Sequence, residues 1–170
     1  MRLASILMLA AVLTTPSPLS AQTHADHAHR AAREDSAFRA MQARGRLVMG
    51  VDQYTSTHRF DALPDGGRIE LRRNRDDSAG TASIRAHVKE IARAFAAGDF
   101  AAPAGVHAER VPGVPVLRAR RAAIRYYVSD VPRGAQLRIR SSDPLAVKAI
   151  HRFLAYQRKE HRAASAPHSP

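Results

Sequence analysis

One local pattern occurs twice in this chain, and that repetition constrains the fold more than any other feature. In the first copy His58, Phe60 and Ala62 alternate with Arg59 and Asp61, "LPDGG" follows, and Ile69 and Leu71 then alternate with Arg68, Glu70 and Arg72. In the second copy Ile124, Tyr126 and Val128 alternate, "VPRGA" follows, and Leu137 and Ile139 resume the pattern. A period of two marks a strand with one buried face, and turn residues between two such runs mark a hairpin. Each hairpin leads into a helix. Ile84, His87, Val88, Ile91 and Phe95 fall on one helical stripe, with Thr81 or Ser83 as cap and Gly98 as terminator. In the second copy Asp143 caps, Pro144 takes the first position, and Val147, Ile150, His151 and Leu154 form the stripe. "LPDGGRIEL" aligns with "VPRGAQLRI", and "IRAHVKEIA" with "VKAIHRFLA". Pseudo-repeats over about 56–98 and 123–162 therefore predict an α+β domain. Two hairpins pool into a four-stranded antiparallel sheet with both helices on one face.

The rest of the chain fits around that unit. Residues 31–44, with Phe38 and Met41 three apart, predict a short N-terminal helix ended by Gly45. Residues 99–122 carry Pro103, Gly105, Pro112, Gly113 and Pro115, and read as a long connection with at most a short helix over 115–122. One domain spans 36–162, and "AASAPHSP" (163–170) reads as a disordered tail. At the other end, Arg2, an apolar run over 3–13 and small residues up to Ala21 read as a secretory signal peptide over 1–21. That run is too short to span a bilayer, so no transmembrane segment is expected in the mature chain. The expected location is the periplasm or the extracellular space. Residues 22–35 would then be a flexible, His-rich leader.

Composition excludes several chemistries. The 170 residues include no cysteine, so disulfides, thiol catalysis, thiolate zinc sites and iron–sulfur clusters are out. The net charge is +12, or +11 once Arg2 leaves with the expected signal peptide, and Lys occurs only at 89, 148 and 159. A basic chain can meet nucleic acid, an anionic surface or a small anion; export argues against nucleic acid. No H-E-x-x-H, G-x-S-x-G, P-loop, G-x-G-x-x-G or kinase signature is present.

Three sets of residues carry candidate chemistry. His58 lies on the apolar side of the first strand, His87 and His151 lie in the two helical stripes, and His107 lies in the long connection where it could close over them. Imidazoles suit Zn or Cu, and three histidines with an open position form a catalytic zinc arrangement. The alternative is that each is a core histidine bonded to a backbone carbonyl or to a carboxylate such as Asp52 or Asp61. The leader supplies His24, His27 and His29; cleavage after Ala21 would put His24 third, a nitrogen set suited to Cu(II) or Ni(II). An N-terminal Gln22 readily cyclises, which consumes the amine of that set. Arg59, Arg68, Arg72, Arg125, Arg138 and Arg140 alternate opposite the apolar residues and would form a basic sheet face for an anionic ligand, partly neutralised by Asp61 and Glu70. His58, His107 and Tyr126 could also serve acid–base chemistry in a pocket.

The stretches "MGVDQYTSTHRF", "DGGRIEL", "IRAHVKEIARAFAAGDF" and "AIHRFLAYQRKEH" together resemble a family of small, exported, uncharacterised bacterial proteins. Its pattern runs G-x-D-Q…T-H-x-F, a Gly-Gly hairpin, and helices ending near I-H-x-F-L-x-F-Q-x-x-D-H. The resemblance covers roughly 36–162 and includes histidines at 58, 87, 107, 151 and 161. It implies a shared fold and no established activity. Some members carry an aspartate carbamoyltransferase label, but the S-T-R-T phosphate-binding motif and the much longer chain of that enzyme are both absent here. The expectation is an exported binding or accessory module that takes a small ligand or a transition metal through inward-facing histidines. The alternatives are a small metal-assisted hydrolase using His58, His87 and His151, and an anion-binding surface protein using the Arg face.

Overall fold

Turn and cap residues set the element boundaries. In a computed structural model, the structure describes residues 18–49 and 53–163, with side chains over 29–47 and 54–163. Most of the expected signal peptide and nearly all of the expected tail lie outside the described residues. The elements are α1 (Pro18–Met49), β1 (Ser56–Leu63), β2 (Gly66–Arg73), α2 (Ser78–Ala97), α3 (Ala101–His107), α4 (Val114–Ala119), β3 (Ile124–Val131), β4 (Gly134–Ser141) and α5 (Pro144–Glu160). The chain divides into two compact units, Met1–Ser36 and Ala37–Pro170. The second holds the sheet.

That sheet is antiparallel with order β1-β2-β4-β3, so the two hairpins meet along their second strands. In the central pairing Gly67 faces Ile139, Ile69 faces Leu137 and Leu71 faces Ala135. Phe60, Ile69, Leu71, Ile124, Leu137 and Ile139 all belong to one apolar cluster, together with Ile84, Val88 and Phe95 of α2 and Ile150, Phe153 and Leu154 of α5. Both helices therefore lie on one face, as the alternation requires. Each packs chiefly over the other copy's hairpin: α5 over β1 and β2, α2 over β3 and β4. The duplicated units are thus interlocked through one core.

Several local expectations are corrected. The cap of α2 is Asp77, which accepts from the Gly80 N–H at 2.9 Å, rather than Thr81 or Ser83. Asp143 caps α5, accepting from Leu145 N at 2.8 Å, and Gly98 closes α2 in the left-handed region at φ 81°. The N-terminal helix is much longer than 31–44: α1 runs through the stretch read as a leader and past Gly45. Gly45 is buried, and the preceding Arg44 donates from Nε to the Val106 carbonyl at 2.8 Å. Tertiary contact holds the backbone there and overrides the glycine stop signal. The connection over 99–122 is also mostly helical. Pro103 falls in the first turn of α3 and Pro115 in that of α4, where a missing N–H costs no hydrogen bond. Prolines that read as loop punctuation mark helix starts.

The tightest joint is at Gly67, where an added Cβ would lie 2.1 Å from Leu154 Cδ1 and 2.9 Å from the Asp61 carbonyl oxygen. Gly67→Ala overpacks this joint and is expected to destabilise by about 1–3 kcal/mol. Leu154→Ala opens a cavity and is expected to cost about 2–5 kcal/mol. Combined, the two changes cost less than their sum, because the smaller side chain at 154 makes room for the new methyl; urea unfolding of the three variants measures this.

Candidate functional site

The interlock brings four histidines from four elements to one end of the core. His58 projects from β1 on the side of Phe60, because both share the parity of the buried face. Its ring stacks on His161, just past α5, with centroids 5.2 Å apart and an interplanar angle of 21°. His161 in turn meets His107, at the end of α3, edge-on at 5.3 Å. His87 of α2 and Gln157 of α5 complete the wall of an otherwise apolar cavity of about 80 Å³ lined also by Phe60, Ile69, Leu71, Val88, Phe95, Val106 and Phe153.

Hydrogen bonding within this cluster is incomplete. His107 Nε2 lies 3.0 Å from Gln157 Oε1. An amide oxygen only accepts, so His107 carries its proton on Nε2 and donates it. That leaves the Gln157 side-chain NH₂ buried and, among the described residues, without a partner, as is the buried His58 Nε2. Buried polar atoms left in this state each cost about 1–3 kcal/mol.

The imidazoles are neutral at physiological pH. Burial, reinforced by the nearby His87, lowers the His58 pKa from 6.5 to about 4. Burial lowers His161 further still, with His58 and His107 adding to the effect. Burial also lowers His87 and His107, against the opposing pull of Glu90 on the first and of the Gln157 hydrogen bond, Glu160 and Glu109 on the second. Two imidazolium charges about 5 Å apart would repel by about 3 kcal/mol at an effective dielectric constant near 20, so a second proton is opposed even more than the first.

The expected histidine set is partly corrected. His58 and His87 line the cavity together with His161, His107 only meets His161 edge-on beside it, and His151 does not join them. Its Nε2 donates to the Leu63 carbonyl at 2.9 Å. Leu63 is five residues along β1 from His58, roughly 16 Å for an extended strand. His151 is thus the carbonyl-bonded core histidine of the bland alternative, and the trio His58, His87, His151 does not form. Among the described residues no group of three or more His, Asp or Glu is placed to hold a metal ion. The stack explains part of this: nitrogen lone pairs lie in the ring plane, and His58 and His161 turn faces toward each other. His29 is exposed on α1, and the side chains of His24 and His27 lie outside the described residues. Sequence reading missed Gln157 and His161 as site residues. The signal was there: Phe153, Gln157 and His161 follow one another at four-residue steps, extending the apolar face of α5.

The basic face is also corrected. Asp61 lies 2.5 Å from Arg68 and 3.7 Å from Arg59, and Glu70 lies 2.8 Å from Arg72. Asp65, not anticipated from sequence, pairs with both Arg138 and Arg140. Five of the six arginines are therefore committed to carboxylates. Arg125 alone of the six has no carboxylate partner among the described residues; its Nη1 donates to the Ala122 and Ile124 carbonyls at 2.7 and 3.1 Å.

Compared with protein-family models, with curated proteins and with solved structures, the chain finds no match in any of the three.

The buried imidazoles make stability depend on pH in a defined window. Their folded-state pKa values lie below the unfolded value of 6.5, so the unfolded chain takes up protons first on acidification. Their contribution is complete above pH 6.5 and is lost progressively on acidification, down to about pH 4 for His58 and lower still for His161. For His58 alone the loss reaches about 3 kcal/mol by pH 4. Asp65, Asp77 and Asp143, held below their ordinary 3.8 chiefly by hydrogen bonds, act only at still lower pH. Urea unfolding at pH 7 and pH 5 is expected to show a marked loss at pH 5 that His58→Leu reduces. An unchanged pH 7-to-5 difference in that variant would rule out burial of a neutral His58 as its source.

Proposed function

We propose that this protein is an exported binding module that encloses a compact, uncharged, largely apolar molecule against the wall formed by His58 and Gln157. One observation carries the reading: two buried polar atoms from different elements, His58 Nε2 and Gln157 Nε2, belong to residues lining the same apolar cavity and have no partner among the described residues. A largely apolar pocket with a few convergent polar groups is the usual form of a small-ligand site. A ligand with an acceptor oxygen would take the Gln157 N–H and recover the cost of leaving it unpaired. About 80 Å³ is roughly half the volume of a cavity that accommodates benzene, which sets the size class. The reading of export rests on the pattern of residues 1–21.

Binding is favoured over turnover by acid–base chemistry. A ring titrating near 4 is a weak base at neutral pH, and its conjugate acid is scarce there. No carboxylate lines the cavity among the described residues. The metal-assisted hydrolase reading loses its third ligand, because His151 is bonded elsewhere.

The test is an NMR titration of the full chain with acetone, a small uncharged ketone, following the Gln157 side-chain amide and the His58 ring. Saturable shifts at both groups are expected, and they vanish in Gln157→Leu. Shifts that never saturate would refute enclosure. One tightly held zinc per chain, displacing the ketone, would instead make these imidazoles a metal site.

A further inference from the structure

A second site lies on the edge of the sheet, apart from the histidine cavity. Arg93 of α2, Arg121 of the single 3₁₀ turn before β3 and Arg125 at the start of β3 line one open groove of about 560 Å³. Its floor is Ala92, Ala96 and Ile124, with Tyr126 alongside. No acidic residue lines it, and none of the three arginines has a carboxylate partner among the described residues. This sets them apart from the arginines of the sheet face, which the acidic residues there neutralise. The last turn of α2 approaches this groove with its carbonyls, but a helix C-terminus amounts to about half a negative charge. Three guanidiniums exceed it several-fold. Burial holds the Tyr126 hydroxyl protonated up to about 12, so it stays a hydrogen-bond donor across the physiological range.

We propose that this groove binds a phosphate monoester whose apolar body lies on the Ala92–Ala96–Ile124 floor. Guanidinium groups present paired N–H donors that match phosphate oxygens, and a dianion draws more from three clustered cations than a carboxylate does. The apolar floor accounts for preference over inorganic phosphate, which has no surface to bury there.

Calorimetric titration of the full chain with phenyl phosphate at low ionic strength tests this. The informative comparison is between Arg93→Gln/Arg125→Gln and Arg75→Gln/Arg152→Gln. The two double variants have equal net charge, and Arg75 and Arg152 are exposed residues outside the groove. Phenyl phosphate is expected to bind at least about tenfold more weakly to the groove variant and within about twofold of normal to the other. Benzoate is expected to bind the unchanged protein at least about tenfold more weakly than phenyl phosphate. Equal losses in the two variants would mean the ligand feels only the overall positive field, and would overturn the site. Equal binding of benzoate would overturn the assignment to a phosphate dianion. Thermal melting of both variants near the parent temperature shows that lost binding is not lost fold.

Discussion

The pairing of β2 with β4 is the constraint on which the remaining structure depends. Alone, each hairpin would present one apolar face with a single helix to cover it. Joined along their second strands, the hairpins make a surface wide enough for two helices, and α2 and α5 each settle over the partner hairpin. The join is close because Gly67 stands opposite Ile139, and Leu154 occupies the space a side chain there would need. It also carries Leu71 and Leu137, both almost fully buried. A core assembled in this way needs no cross-links, which is consistent with a chain that has no cysteine.

The same arrangement creates the polar defect at one end of the core. His58 is held inward by strand parity, and His161 by the helical face that also carries Phe153 and Gln157. The available hydrogen bonds are too few: His107 donates to the Gln157 oxygen, and the Gln157 side-chain NH₂ and the His58 Nε2 find no partner among the described residues. Native cores seldom retain such groups without a reason beyond packing. A capacity to hold a ligand is one such reason, and it is the basis of the function proposed above.

Positive charge follows a different logic. Arginines are abundant along the sheet, yet most of those on its outer face are internal to the protein's own ion-pair network. Asp61 and Glu70 lie almost buried beneath them, and Asp65 in the first hairpin turn reaches across to β4. Net charge therefore says little about where an anion would bind. Among the arginines without a carboxylate partner in the described residues, Arg93, Arg121 and Arg125 gather at the β3 edge rather than on the face.

Sequence alone determined the element types within the two hairpin–helix units, because period-two and period-3.6 patterns and turn residues act over a few positions. It determined the inward direction of His58 and His87 for the same reason. It also held the clue to His161, in the four-residue spacing from Phe153. Local pattern could not decide that Gly45 lies within a helix, since a buried contact there outweighs a glycine's preference. Nor could it decide that His151 bonds to Leu63 while His161 meets His58. His151 lies on α5 and His161 just past its end, and only the position of α5 across β1 separates their partners. Which arginines are neutralised was likewise decided by tertiary structure: Asp65 meets Arg138 and Arg140 only because β2 pairs with β4. Local patterns choose faces, whereas long-range pairing chooses neighbours, and sites are made of neighbours.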